Sequence, residues 1–474
     1  MSMRRIALFV IVLGLMMTGV DTTAVILALP DITTDLHSSL STTIWVIIMY
    51  LLVIAVMTTQ LGRIGDSLGR GKMYNSGFII FTLGSALAGT SIFADELIFF
   101  RAVQAFGGAL MQANSGAIVA DIFPVNERGR AYGYTSIGWT TGATLGILVG
   151  GLITTYIGWQ YIFYINVPIG IMAAVLGIMN IKDDKRQESH SDIPGFLSLL
   201  ASLVLIAYGA SNITGYGVDK FNILLIITGI AILIFFIFIE RRAEYPIINM
   251  KIFKNHIFSF SILASFFQSM GYLSVVFIVI MYLQGIRGLS PLNASLLLVP
   301  GYVLGSVIAP FAGRLSDRIG SRIPATLGLS MMMAGVLIYM SFSVTTPLYF
   351  VIIASLVGGL GTSLFYPANN SAVMANAPRG FYGVSSGILR TFANIGTLIS
   401  YVLAITIASI TVPRYVAFEV FLGLHNIVGT IAGKFMTGIR SALIMSFIIL
   451  VIAVILSISR GRENRAEKAV KLKT

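Results

Sequence analysis

The sequence contains no cysteine. That excludes disulfides and thiolate metal sites, and it leaves the redox compartment unmarked. Histidine is scarce as well. His37, His190, His256 and His425 are scattered over loops, without the spacing of metal ligands. No GxxxxGK(S/T) run occurs, so that kind of nucleotide-binding loop is absent and any pumping must draw on a gradient. Gly383-Val384-Ser385-Ser386-Gly387 matches GxSxG, but it opens an apolar helix with no strand before it and no partner histidine. The chain does not read as an enzyme, and neither a metal nor a cofactor is expected. Charge is the last shortage: 11% of the residues carry one, where a soluble domain carries about 25%.

What fills the gap is apolar. Hydrophobic residues make up 56% of the 474, and they come in long blocks, not in alternating or amphipathic patterns. Segments of about 17–25 apolar residues between short polar loops mark membrane helices. Fourteen such segments lie between Ile6 and Ser459, which makes this an all-α polytopic membrane protein. The first, residues 6–30, lacks a small-residue cleavage site and reads as a retained helix.

The net charge of +12 could point to nucleic acid, but the positions of the charges argue otherwise. Most lysines and arginines fall on alternate loops: Arg4 and Arg5; Arg63, Arg70 and Lys72; Arg128 and Arg130; Lys182, Lys185 and Arg186; Arg314, Arg318 and Arg322; and the tail. Positive loops mark the cytoplasmic side. Both termini are therefore expected inside, in the plasma membrane, with no nucleic-acid partner.

An internal repeat divides the chain. Gly62, Arg63, Asp66 and Gly69 recur as Gly313, Arg314, Asp317 and Gly320, and Arg128-Gly129 recurs at the same offset as Arg379-Gly380. Two six-helix halves in parallel relation fit this, with two extra helices inserted between them. The expected domains are an N-terminal half over 1–181, a cytoplasmic linker at 182–192 and the inserted pair at 193–240. A C-terminal half follows over 241–459, with an external loop at 412–438, and then a basic tail at 460–474. The loop could be a surface-lying amphipathic helix or an ordinary packed loop.

Two charges stand out inside apolar blocks of the first half. Asp21 lies deep in the first helix, where an unpaired carboxylate costs a few kcal/mol or more. Arg101 lies in the fourth. Antiparallel threading puts both in the outer half of the membrane. The reading is that Arg101 sets the proton affinity of Asp21, since a nearby guanidinium favours the carboxylate whereas burial favours the neutral acid. The competing reading is a static buried ion pair. Arg390, in the thirteenth helix, leaves three roles open: binding a substrate anion, pairing with Asp21, or bonding to helix carbonyls. Gly142, Gly146 and Gly150 share one helix face, where small residues allow close approach, and Gly151 follows.

The loop Gly62 to Lys72, GRIGDSLGRGK, resembles the signature of the major facilitator superfamily between its second and third helices. The fourteen-helix layout, the run VDTTAVILALP ending at Pro30, and the run from Trp159 to Pro168 are similar to that family's drug:proton antiporter branch with fourteen spans. The resemblance implies that Asp66 latches the outward-facing state, accepting from donors at a helix end or from an arginine across the halves. Gly62 and Gly69 would shape the turn, while Arg63, Arg70 and Lys72 hold it on the cytoplasmic face. Arg101, Gln104, Gly107 and Gly108 resemble the family's RxxQGxG motif, with Ala105 where a glycine is usual. Gly142 to Gly151 resembles its antiporter motif, with Ile147 in place of a proline that would loosen the helix.

The function expected from residues and resemblance together is proton-coupled export of lipophilic drugs or similar amphiphiles by alternating access. It would be driven by the proton gradient, with membrane lipids around a monomer. A lipid exporter or facilitator of the same fold is the alternative within transport. A membrane sensor or scaffold is the alternative outside it, and a deep acid–base pair argues against that. Candidate cavity residues in the first half are Gln104 and Trp139. Those in the second are Gln268, Tyr272, Tyr302, Tyr366, Asn369, Asn370, Arg390 and Asn394, since aromatic faces suit lipophilic and cationic ligands.

Overall fold

The computed structural model describes residues 3–181, 192–216, 218–243, 246, 250–377, 382–411 and 430–461. Within these, the long apolar segments are all helical, as a bilayer requires of any chain that must satisfy its own backbone polar groups. Fourteen long helices are described. In the first half these are α1 (Met3–Asp35), α2 (Trp45–Leu68), α3 (Arg70–Gly89), α4 (Ala94–Ile122), α5 (Val125–Tyr156) and α6 (Asn166–Asn180). The inserted pair is α7 (Ile193–Tyr216) and α8 (Lys220–Arg242). The second half holds α9 (His256–Met281), α10 (Pro291–Ile319), α11 (Arg322–Met340), α12 (Tyr349–Ala375), α13 (Tyr382–Thr411) and α14 (Thr430–Ser459).

Among the described residues, twelve helices are long and apolar enough to cross a membrane, and α3 and α4 are not among them. Hydropathy averages over a helix's whole circumference. These two bury polar groups on their inner faces: Asn75, Thr82 and Ser85 on α3, and Arg101, Gln104, Gln112 and Asn114 on α4. Their length and their place in the packing make them part of the same bundle.

In the first half α1 packs along α5, and α4 packs against both α2 and α3. In the second, α12 packs against α10 and α11, and α13 against α9 and α14. The halves meet where α5 lies on α10 and where α2 lies on α13. The inserted helices pack on each other, and α7 lies against both α2 and α13. Phe221, Leu224, Ile227 and Phe235 of α8 are exposed, a face suited to lipid.

Several expected boundaries shift. Gly62, Arg63 and Asp66 are not on a loop but in the last turns of α2, and the chain turns at Gly69. Arg128-Gly129 likewise lies in the first turns of α5, since α4 and α5 are joined through Phe123 and Pro124. Residues 430–438, expected in the external loop, begin α14. In each case an apolar block marks the thickness of the membrane core, and the helix continues beyond it until a backbone signal stops it. Gly69 supplies one such stop with φ +113°, and its repeat counterpart Gly320 ends α10 with φ +89°, both in a region where a side chain is strained. Linker residues 182–191, loop residues 412–429, tail residues 462–474, Arg379-Gly380 and the side chain of Asp317 lie outside the described residues.

Candidate functional site

Asp21 and Arg101 meet. Nη1 of Arg101 donates to Oδ2 of Asp21 at 2.5 Å, and the two residues are 0% and 1% exposed. Gln104, one turn beyond Arg101 on α4, closes the group. Its Nε2 donates to Oδ1 of Asp21 at 2.7 Å and to Ser85 Oγ at 2.6 Å, while its Oε1 accepts from Arg101 Nη1 at 2.6 Å. Both carboxylate oxygens are thus occupied by donors from α4. Gln104 was expected to line a cavity. It is fully buried in this charge site instead, because a spacing of three residues puts it on the same helix face as Arg101.

The guanidinium is enclosed further. Nε donates to the carbonyl of Val46 at 3.1 Å, and Cζ lies 4.1 Å from the ring centroid of Tyr50 and 5.6 Å from that of Phe163. Ser85, Tyr50 and Phe163 carried no sequence signal for this role. They are apolar or weakly polar residues within membrane blocks, distant along the chain.

Asp21 is held in place by the way α1 lies on α5. Gly138, Gly142, Gly146 and Gly150 form a stripe with a four-residue repeat, and it faces Val12, Met16, Val20 and Ala24 with the same repeat on α1. A Cβ on Gly146 would lie 2.5 Å from the carbonyl oxygen of Val20, and one on Gly150 would lie 2.7 Å from Cα of Ala24. In return, a Cβ on Gly19 would lie 2.6 Å from the carbonyl oxygen of Trp139. Thr23 Oγ1 donates across this seam to the carbonyl of Ala143 at 2.9 Å. Gly151 points elsewhere, to Pro291 and Ser295 of α10. Gly138 extends the stripe by one step, and its spacing made it visible in the sequence. Ile147 is buried, and α5 runs unbroken through it.

At the far end of α2, Arg70 Nε donates to Asp66 at 2.6 Å and Arg70 Nη1 to Asp121 of α4 at 2.7 Å. Among the described residues Asp66 thus pairs with an arginine just beyond the Gly69 turn. A single non-helical residue separates α2 from α3, so the guanidinium reaches back to the last turn. Asp121, more than fifty residues on, left no mark in the sequence pattern. Arg63 donates to the carbonyl of Pro246, and Gln60 Nε2 donates to that of Asp192 at 3.1 Å. A Cβ on Gly65 would run into Asn114, and Gly62 has nothing nearer than 3.8 Å.

The remaining candidates lie between or within the halves. Trp139 of α5 meets Tyr366 of α12 with ring centroids 6.5 Å apart. Gln268 donates to Tyr366 Oη at 3.3 Å and is itself fully buried. Tyr272 points its hydroxyl at Gly358. Asn394 donates to Gln112 of α4 at 3.4 Å, and Thr391 meets Thr59 of α2 at 2.5 Å between hydroxyl oxygens. Arg390 and Asn370 are half-buried on α13 and α12. Asn369 is a packing residue: it donates to the carbonyl of Ser261 and accepts from Arg460.

Residues 11–401 match the family model of the Major Facilitator Superfamily. A riboflavin transporter of Clostridioides difficile (strain 630) is 33% identical over 403 residues, covering 83% of this chain and 86% of that one. A multidrug transporter of Bacillus subtilis (strain 168) is 28% identical, over 83% of this chain and 73% of that one. A tetracenomycin C resistance and export protein of Streptomyces glaucescens is 28% identical, over 85% and 76%. Among solved structures, a bacterial homologue of the human lysosomal transporter Spinster, inward-facing and unoccupied, superimposes with a TM-score of 0.67. It is 17% identical and covers 97% of each chain, a likeness of fold.

Proposed function

The chain belongs to the major facilitator superfamily, and on that footing we propose that it is a proton-coupled exporter of lipophilic or amphiphilic small molecules, working by alternating access. The observation that carries the reading is the buried pair of Asp21 and Arg101. Ionisable groups inside a membrane segment are costly, and they are kept for ion or proton pathways far more often than for packing. Asp21 is the proton site. Arg101 neutralises its charge when the two stand together, and a proton takes over that role when they separate inside the apolar bundle. Moving Arg101 relative to Asp21 between conformations would load and release one proton per cycle, with the gradient as the energy source and no cofactor.

The group of Gly62, Arg63, Asp66, Gly69 and Arg70 then serves as a latch at the cytoplasmic face, with Gly65 giving Asn114 of α4 room. Both termini lie on that face in the plasma membrane, and the monomer is the working unit. The contact of Arg70 with Asp66 and Asp121 is part-exposed, so it contributes no more than about 1 kcal/mol to stability. Arg70→Leu should therefore melt within a few degrees of the wild type, yet slow transport several-fold. Equal transport rates in a liposome flux assay would remove the latch from the account.

A second reading concerns the cargo. The riboflavin transporter is 33% identical where the drug exporters are 28% identical. Trp139 and Tyr366 offer ring faces to a flat, polar aromatic compound as readily as to a lipophilic drug. Reconstitution into liposomes with an imposed pH gradient tests both readings, with lipophilic cations, neutral drugs, lipid probes and riboflavin as the panel. Gradient-dependent flux of at least one compound is expected. Flux that ignores the gradient would make the protein a facilitator, and no flux at all from folded protein would end the transporter reading.

A further inference from the structure

We infer that Tyr50 is a positioning residue for the Asp21–Arg101 pair, and that α2 is the helix that decides where Arg101 stands. Three helices meet at the pair and hold different members of it. Helix α1 supplies Asp21, while α4 supplies Arg101 and Gln104. Helix α2 supplies no charge but grips the guanidinium. The ring of Tyr50, 1% exposed, covers it at 4.1 Å, and the Val46 carbonyl takes Nε at 3.1 Å. Residues 46 and 50 are one turn apart on the same face, so the two holds act together. A desolvated cation on an aromatic face is attracted by the ring itself.

The two charges are thus steered by different neighbours. Asp21 is fixed through the seam of α1 on the glycines of α5, which moves little without parting two backbones. Arg101 is fixed through α2. The same α2, toward its other end, touches the second half, where Thr59 meets Thr391 of α13. A displacement of α2 along α13 moves both groups that hold Arg101, while Asp21 keeps its seat on the glycines of α5, and the distance between the two charges changes. Among the described residues, the charged and titratable groups facing the site are Asp21 from α1, Arg101 from α4 and Tyr50 from α2. Helix α3 contributes Ser85, the turn before α6 contributes Phe163, and α5 contributes its glycines.

This inference rests on Asp21 being the proton site, and its test separates the two. The measurement is the pH dependence of proton release by purified protein on substrate addition, for the wild type, Tyr50→Phe and Tyr50→Leu. Phenylalanine keeps the ring face and should keep the wild-type midpoint. Leucine removes it, so the guanidinium is held less firmly beside the carboxylate and the midpoint should move to higher pH. If the leucine variant does not fold, Tyr50→Met carries the same expectation. A folded leucine or methionine variant with the wild-type midpoint overturns the inference, and so does a phenylalanine variant that shifts as far as leucine. A wild type that releases no protons overturns the proton-site reading itself.

Discussion

Asp21→Asn should abolish transport driven by a pH gradient and also make the protein markedly less stable. Asparagine has the shape of aspartate, so the packing against α4 and α5 survives while the charge does not. What remains is a guanidinium, 1% exposed, whose anionic partner is gone. Removing one member of a buried pair costs about 3–5 kcal/mol, a large part of the about 5–15 kcal/mol that holds a typical fold together. The stability loss and the coupling loss have different causes, and a second substitution separates them. In the double variant Asp21→Asn with Arg101→Gln, no charge is left buried at this site. Thermal stability should return to near the wild-type value, while pH-driven flux in liposomes stays absent. Recovery of flux in the double variant would mean that the pair is a packing device.

The second large effect is expected at Gly146. Any side chain there meets the backbone of α1, since even a Cβ would sit 2.5 Å from the carbonyl oxygen of Val20. Backbone cannot swing aside as a side chain can, so α1 and α5 must part along the seam. Over-packing of a tight core costs about 1–3 kcal/mol when side chains can adjust, and a leucine forced between two backbones should exceed that. Val20 is the neighbour of Asp21, so the displacement also takes the carboxylate away from Arg101 and Gln104. Gly146→Leu should yield little monodisperse protein on size-exclusion chromatography and no transport. Gly146→Ala should fold with a lowered melting temperature and reduced flux. Gly133→Ala is the control, because nothing lies within 4 Å of the added Cβ and alanine favours a helix over glycine. A folded, fully active Gly146→Leu would show that the seam is loose.

The outline of this arrangement was legible in the sequence because membrane insertion leaves a coarse record. Apolar blocks of bilayer length gave the helices, and charges inside those blocks gave Asp21 and Arg101. The four-residue glycine spacing marked a face of close approach. The record is silent about what lies across from a residue. The spacing of three from Arg101 is the one mark that ties Gln104 to the charge site, and nothing in the pattern brought Ser85, Tyr50 and Phe163 to it, because those contacts join segments distant along the chain. Asp121 was missed for the same reason. Helix ends were misplaced where hydropathy was the guide. Hydropathy measures the thickness of the lipid core, whereas the end of α2 is set by the backbone turn at Gly69.

The proposed proton site lies where α1, α2 and α4 meet. In that proposal the seam between α1 and α5 fixes Asp21, and α2 steers Arg101. The glycines that resemble an antiporter motif pack α1 closely on α5, which runs unbroken through Ile147. The most direct test is to add a transported substrate to purified protein in weakly buffered detergent solution and follow the pH. The wild type should release protons, and Asp21→Asn, with Arg101→Gln added for stability, should release none. Equal release from both proteins would contradict the central claim and place the proton site elsewhere in the chain.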